Sequence, residues 1–241
     1  MLIHDGRIVR MTPSAIDLAD GVRGPLQALD LAVDEVTGRA DPDRGTVRFG
    51  FPLTMGSGQV PDLLARFRQR HPRMRVLIKQ AHGSALADEL LSGQLDLAIV
   101  IPPPARPHHV VIGAQSILAV LPGEHPLAGT SHIRLEDLAG ETFIAAPSSY
   151  NIRQLTEAWC REAGFTPDIA FEVTEFATIR ELIGRGLGIA LLPHDERTPP
   201  GLVEVPLDDD RYRRDIALAW GSTAEAPATR RLSAFLLAHY A

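Results

Sequence analysis

The sequence is poor in cysteine, lysine and long apolar segments. Cys160 is the one cysteine among 241 residues, which excludes an intramolecular disulfide in this chain and favours a reducing compartment. Lys79 is its single lysine, and the net charge of −6 excludes a global field that attracts nucleic acid or anionic lipid. No apolar run is long enough to span a bilayer, and the first residues lack the apolar core of a secretory signal. We therefore expect a cytoplasmic protein without a membrane partner.

Strands alternate with helices in the first half of the chain. The pattern predicts strands at 46–50, 74–80 and 95–101, with helices at 60–70 and 86–92 between them. Alternation of this kind indicates βαβ crossovers and a parallel sheet. Polar loops containing Thr54–Gly58 and Gly83-Ser84 follow the first two strands. Open α/β sheets bind ligands at such strand ends, where helix N-termini offer free N–H groups.

The same series of elements recurs in the second half. Strands are predicted at 142–146, 169–173 and 187–192, with helices at 152–163 and 179–185. Strands at 202–205 and 213–220 and a terminal helix from Pro227 follow. Two similar α/β halves predict two lobes with a cleft between them.

The N-terminal residues predict a hairpin and a long helix. Residues 1–11 form the hairpin, with Asp5-Gly6 at the turn. Residues 12–40 contain the helix, which begins at Thr12-Pro13 and should bend at Pro25. From Val22 onward its apolar residues alternate four and three apart, as in a coiled-coil seam, and this favours a dimer over packing on the same chain. They are Leu18, Val22, Leu26, Leu29, Val33 and Val36.

The order and spacing of short motifs over about 195 residues resemble LysR-type transcriptional regulators. The motifs are Gly45-x-Val-Arg-Phe-Gly50, Leu64-x-x-Phe67 with His71-Pro72, Leu91-x-x-Gly93-x-x-Asp96, His125-Pro126-Leu127, Asp137-Leu138 and Ile183-x-x-Gly186-Leu-Gly-Ile-Ala190-x-x-Pro193. The resemblance implies two Rossmann-like lobes of the type 2 periplasmic-binding-protein fold. Lobe I would comprise 45–118 and 217–241, and lobe II would comprise 119–216.

The resemblance also implies a small-molecule effector between the lobes and a homodimer or tetramer. The dimer would be antiparallel, with 60–70 and 74–80 of one copy against 152–163 and 169–173 of the other. No cofactor, metal or catalytic residue is expected. The implied effector contacts lie in strand-to-helix loops; they are Thr54, Met55, Gly56, Ser57, Gly83, Ser84, Ser148, Ser149, Phe176 and Thr178. Ser57, Ser84 and Ser149 have a second interpretation as helix caps.

The N-terminal hairpin resembles the wing that follows the helix-turn-helix of the family. Arg7 and Arg10 would be its remaining DNA contacts. This chain has no counterpart of the helix-turn-helix itself, so we expect no recognition of a DNA sequence unless that domain is restored or supplied by a partner.

Two other functions compete with an effector-binding regulator fragment. The first is a stand-alone cytosolic solute-binding protein, against which the heptad helix and the wing argue. The second is an enzyme on the same fold. His108-His109 are not spaced for one metal, and Gly184–Gly188 lies between a helix and a strand rather than at a phosphate-binding turn. No acid, base or metal ligands converge, so an enzyme is the weaker alternative.

Overall fold

The structure is a computed structural model that describes residues 2–5, 8–36, 45–56, 58–106, 108–195, 199–221 and 226–240. Its strands are β1 (Leu2–Asp5), β2 (Ile8–Met11), β3 (Thr46–Pro52), β4 (Arg75–Ala81), β5 (Leu97–Val100), β6 (His109–Pro122), β7 (Thr142–Ala145), β8 (Asp168–Glu172), β9 (Ala190–Pro193), β10 (Leu202–Pro206) and β11 (Arg213–Trp220). Its α-helices are α1 (Pro13–Val36), α2 (Gln59–Arg70), α3 (Gly83–Leu91), α4 (Asn151–Glu162), α5 (Phe176–Gly184) and α6 (Pro227–Tyr240). Short 3-10 segments occur at Leu53–Met55 and Leu135–Leu138.

The predicted N-terminal hairpin and helix are present. Strands β1 and β2 pair antiparallel, with Leu2 opposite Met11. Helix α1 begins where the Thr12 hydroxyl accepts a hydrogen bond from the Ala15 N–H at 3.2 Å, which satisfies one of the unpaired N–H groups of the first turn. Pro25 lies inside this helix.

Contacts divide the chain into two units. Unit 1 comprises Met1–Phe51, Leu63–Ile112 and Ala217–Ala241. Its strands follow the order β11-β5-β3-β4, with β3 and β5 parallel and β5 and β11 antiparallel. The largest fully buried side chains include Phe49 and Phe67, which the apolar faces of β3 and α2 turn inward.

Unit 2 comprises Pro52–Asp62 and Gly113–Ile216. Strand β6 pairs antiparallel with both β9 and β10, and β7 pairs parallel with β8. Helices α4 and α5 pack their apolar faces on these strands, and Ile152, Ile179 and Ile183 are buried in one core with Phe143. The mixed α/β fold expected from the sequence is therefore confirmed.

Strand β6 departs from the expected element pattern. The sequence suggests two strands at 110–113 and 117–121, whereas the structure has one strand, His109–Pro122. Gly113 lies inside this strand, and its φ is not positive, so the extended backbone continues through it. Pairing of Leu118 with Pro206 groups this part of β6 with unit 2. Within the described residues, no helix is long and apolar enough to cross a membrane.

Candidate functional site

Thr54 lies on a tight turn at the start of unit 2. Pro52 keeps extended dihedral angles at the end of β3, and the Gly56 N–H then donates to the Leu53 carbonyl at 3.3 Å to close a 3-10 turn. The turn buries Met55 and leaves Thr54 half-buried. The Thr54 hydroxyl oxygen accepts a hydrogen bond from Arg214 Nη2 at 3.0 Å.

Arg214 is a buried cation with neutral partners. Its side chain donates to Gln115 Oε1 from Nε at 3.0 Å and from Nη2 at 2.8 Å. No carboxylate of a described residue forms an ion pair with it, and its residue is only 7% exposed. Burial lowers the pKa of Arg214 to about 10, so the guanidinium remains protonated at pH 7. The positive charge in this part of unit 2 is therefore not neutralised by an acid.

Thr54 also lines a pocket of about 110 Å³. Residues from the 3-10 turn, the start of α5 and the end of β9 line it. They are Leu53, Thr54, Glu175, Phe176, Ala177, Arg180, Pro193, His194 and Asp195. Helix α5 begins here without a side-chain cap, since Glu175 makes no capping hydrogen bond. Five of the nine lining residues are polar or charged and four are apolar, a composition that suits a small polar ligand.

Arg180 lines the pocket and is the second buried arginine of unit 2, but unlike Arg214 it is paired with an acid. Its Nη2 donates to the Pro193 carbonyl at 2.5 Å and to Glu204 Oε1 at 3.1 Å. Asp195 Oδ2 lies 3.9 Å from Nη1. The other Glu204 oxygen is 2.5 Å from His194 Nδ1. Arg180 Nε is buried and has no hydrogen-bond partner among the residues that the structure describes. The acidic side chains of Glu204 and Asp195 thus offset the charge of Arg180.

A sequence profile described as the LysR substrate binding domain matches residues 40–241. The chain belongs to the LysR family. The family consists of transcription regulators, and the resemblance inferred from the sequence motifs is confirmed.

Similar proteins and solved structures support this family assignment. The transcriptional dual regulator GltC of Bacillus subtilis (strain 168) is 27% identical over 241 residues, which are 97% of this chain and 80% of GltC. The C-terminal domain of a probable LysR family regulator from Rhodococcus sp. RHA1 is 30% identical with a TM-score of 0.70, over 80% of this chain and 99% of that domain. The effector binding domain of QuiR, solved with shikimate, shares the fold with a TM-score of 0.74 at 23% identity, over 81% of this chain and 97% of that one.

Two of the predicted effector contacts, Thr54 and Phe176, line the same pocket of this LysR domain. Met55 is buried next to Thr54 and Gly56 is exposed. Ser57 lies outside the described residues. The remaining residues predicted for unit 2 are exposed and do not line this pocket; they are Ser148, Ser149 and Thr178.

Gly83 and Ser84 belong to unit 1, at the start of α3. A Cβ atom on Gly83 would lie 2.1 Å from the Ile101 carbonyl oxygen, so only glycine allows this close approach of backbone to backbone. The Ser84 hydroxyl lies 2.8 Å from His82 Nδ1. Close packing against Ile101 explains why position 83 is a glycine. Contact of Gly83 or Ser84 with an effector stays a prediction.

The structure says little about the two predicted DNA contacts. Arg7 is not among the described residues, and Arg10 lies in β2. No group of three or more potential ligands suitable for a metal ion occurs in the part of the chain that the structure describes. Cys160 is fully buried in α4, and burial raises the pKa of its thiol to about 12, with Glu157 adding to the effect. This thiol is neutral near pH 7 and is not an activated nucleophile.

The sequence analysis missed the two buried arginines. Arg214 shares the period-two phase of Ile216 and Leu218 in β11, and all three are buried. A charged residue in the apolar phase of a strand was therefore a detectable signal. Gln115, Glu204 and His194 carried no comparable signal, because their roles depend on partners from other elements.

Proposed function

We propose that this chain is the effector-sensing and dimerising part of a LysR-type regulator and binds a small molecule at its strand-to-helix loops. The observation that carries the proposal is the pocket of unit 2, where Thr54 and Phe176 lie together. The bound shikimate of the QuiR domain supports the same class of ligand for this fold. A transcription regulator works where the DNA is, so we place the protein in the cytoplasm.

Each polar group in the pocket would act as an orienting contact. The Thr54 hydroxyl provides a donor, and the uncapped start of α5 places the positive end of the helix dipole at Phe176 and Ala177. Leu53 and the Phe176 ring would supply apolar contact. The other contacts implied by the family resemblance remain part of this proposal; they are Met55, Gly56, Ser57, Gly83, Ser84, Ser148, Ser149 and Thr178.

Dimerisation is proposed through α1 and through two strands with a free edge. The seam residues Leu18, Val22, Leu26 and Leu29 are each at least 39% exposed, although they are large and apolar. Strand β4 lies at the edge of its sheet and exposes Leu77 and Ile78, and among the described strands β8 pairs with β7 alone. Exposed apolar residues at these places support the antiparallel assembly, because such surfaces are usually covered.

Sedimentation velocity at micromolar concentration tests the assembly. Leu26→Asp and Ile78→Asp should each shift the chain toward monomer. Val111→Asp replaces another exposed apolar residue, on β6 and outside the proposed interfaces, and should not. Monomer behaviour of the unaltered chain would contradict the proposal.

We infer that the domain is a sensor and not an enzyme. Arg180 and His194, two of the titratable residues that line the pocket, are bonded to Glu204 and so are held in a structural network. Cys160, with a pKa of about 12, cannot supply one at neutral pH. DNA recognition is proposed only for an assembly that contains a helix-turn-helix, and ligand binding would bias its dimer geometry.

Titration calorimetry tests effector binding once a thermal-shift screen of small metabolites has found a ligand. Thr54→Ala should weaken its binding by about 0.5–1.5 kcal/mol, the usual contribution of one neutral hydrogen bond. Thr130→Ala is the matched control, because Thr130 is exposed and its hydroxyl donates only to the nearby Leu127 carbonyl at 2.8 Å. Equal affinities of the two variants would place the site elsewhere.

A further inference from the structure

The guanidinium of Arg214 has unused hydrogen-bonding capacity. Arginine offers five N–H donors and no acceptor. Three of these donors are used, one from Nε and two from Nη2, on Gln115 and Thr54. Nη1 forms no hydrogen bond with a described residue. The guanidinium therefore has two N–H donors on Nη1 that no described residue accepts, and a positive charge that no described carboxylate neutralises.

The hydrogen-bond direction at Thr54 decides what the pocket can accept. A hydroxyl has one donor and two acceptor sites. Because Arg214 can only donate, the Thr54 oxygen is the acceptor of their 3.0 Å contact, and its own hydrogen is left for another partner. Donation from a cation polarises the hydroxyl and makes it a stronger donor. Thr54 lines the pocket, so the ligand group that best complements its hydroxyl is a hydrogen-bond acceptor that carries a negative charge.

Two residues that line the pocket, Arg180 and Thr54, differ in their charge surroundings. Arg180 is paired with Glu204 and has Asp195 nearby, so an anion beside it would meet acidic groups that already neutralise the arginine. Glu175 also lines the pocket, and it is exposed. Thr54 is bonded to Arg214, whose other acceptor, Gln115, is neutral. A charged ligand would therefore place its negative group at Thr54 and its remaining atoms toward Phe176.

We propose that the effector of this domain is a small carboxylic acid whose carboxylate accepts a hydrogen bond from Thr54, with Arg214 as the positioning residue that supplies the charge behind it. This inference rests on the proposed effector-binding function and names its ligand class. The volume of about 110 Å³ is well below the roughly 300–1,000 Å³ of sites for drug-sized ligands, which favours an acid of few carbons.

Matched pairs of a carboxylate and its amide test the charge requirement. The probes are acetate and succinate against acetamide and succinamide, titrated into the full chain at constant ionic strength while the Thr54 and Phe176 amide signals are followed by NMR. We expect saturable shifts with a carboxylate and at least about tenfold weaker binding of its amide, since a hydrogen bond to a charged group is stronger than a neutral one.

Variants at Arg214 separate this role from a structural one. Arg214→Met removes the charge but keeps an unbranched side chain, and it should weaken carboxylate binding about tenfold or more while amide binding is unchanged. Arg214→Lys should retain the preference for the carboxylate in part, because it restores the charge without the planar fork. Arg185→Met is the control for net charge, since Arg185 is exposed and pairs with Glu181 on α5.

Three outcomes would overturn the inference. They are equal binding of a carboxylate and its amide, unchanged carboxylate affinity in Arg214→Met, and no saturable shift with either carboxylate. A neutral metabolite whose binding depends on Thr54 but not on Arg214 would also refute it, and would leave the proposed sensing function standing. Failure of every screened metabolite to bind would instead count against the sensing function.

Discussion

Unit 2 buries two arginines in contrasting surroundings. Arg180 on α5 is 2% exposed and Arg214 on β11 is 7% exposed. Arg180 donates to a buried carboxylate, Glu204, and has Asp195 nearby. Arg214 donates only to the neutral oxygens of Gln115 and Thr54. The same side chain is therefore part of a neutralised cluster at one place and an isolated cation at the other.

The contrast shows how a buried charge can serve structure or binding. In a buried ion pair each charge is neutralised by the other, and removing one member leaves the other buried without a partner. A buried cation with neutral partners is not neutralised and can still attract an anion. It lowers the stability of the folded state, because burial disfavours the charged form. Groups perturbed in this way are concentrated at functional sites. Arg180 is thus expected to matter for folding, and Arg214 for ligand binding.

The largest effect is expected from Arg180→Met. The change leaves the Glu204 carboxylate buried with His194 as its remaining polar partner, so the free energy of unfolding should fall by about 3–5 kcal/mol. Urea unfolding followed by circular dichroism measures it. Arg185→Met, at the exposed residue that follows the last residue of the same helix, should stay within about 0.5 kcal/mol. Equal stabilities of these two variants would remove the structural role of Arg180.

Gln115→Leu should have the next largest effect. It removes the acceptor of two Arg214 donors and leaves the cation with Thr54, which should lower the free energy of unfolding by about 1.5–3 kcal/mol. Gln94→Leu is the control, because Gln94 is exposed and donates only to the Ser92 hydroxyl at 3.3 Å. An unchanged urea midpoint in Gln115→Leu would mean that Arg214 does not depend on this amide.

Thr54→Val should have a smaller effect on folding than on binding. Valine keeps the branched shape but removes one of the two acceptors of Arg214, so we expect a loss of about 0.5–1.5 kcal/mol of unfolding free energy. Thermal unfolding with Thr130→Val as the control measures this loss. A destabilisation as large as that of Arg180→Met would indicate that Thr54 is mainly a structural residue.

Arg214→Met should change stability least, by less than about 1 kcal/mol. The variant loses the hydrogen bonds to Gln115 and Thr54, which lowers stability, but it also removes the free-energy penalty of burying an unpaired charge, which raises stability. Apolar replacements of buried ionic groups are often neutral or stabilising for this reason. Urea unfolding beside Arg180→Met provides the direct comparison. A loss as large as that of Arg180→Met would contradict the distinction between the two arginines.

The pH dependence sharpens this last comparison. The folded-state pKa of Arg214 is lowered to about 10 from an ordinary 12.5, so between these values the unfolded chain binds more protons than the folded chain. The penalty from Arg214 is complete below about pH 10 and decreases above it. The stability of the unaltered chain relative to Arg214→Met should therefore rise with pH above about 10, whereas a flat difference would show that this pKa is not lowered.

The sequence by itself determined the order of elements, the α/β class and the family. Periodic patterns of apolar residues and the motifs around Gly50, His71 and Gly186 carry this information, because they depend on neighbours within one helix, strand or turn. Strand β11 was predicted with the ends it has in the structure, at Arg213 and Trp220. Short-range rules suffice for features of this kind.

The tertiary structure alone decided which polar groups meet. Arg214 is 160 positions from Thr54 and 99 from Gln115, and Arg180 is 24 from Glu204. Two adjacent loop residues, Met55 and Gly56, differ fully in burial although both were predicted contacts. No local pattern encodes these differences, because burial and hydrogen-bond partners are set by the packing of distant segments. The neutral surroundings of Arg214 arise only when the 3-10 segment Leu53–Met55, β6 and β11 come together.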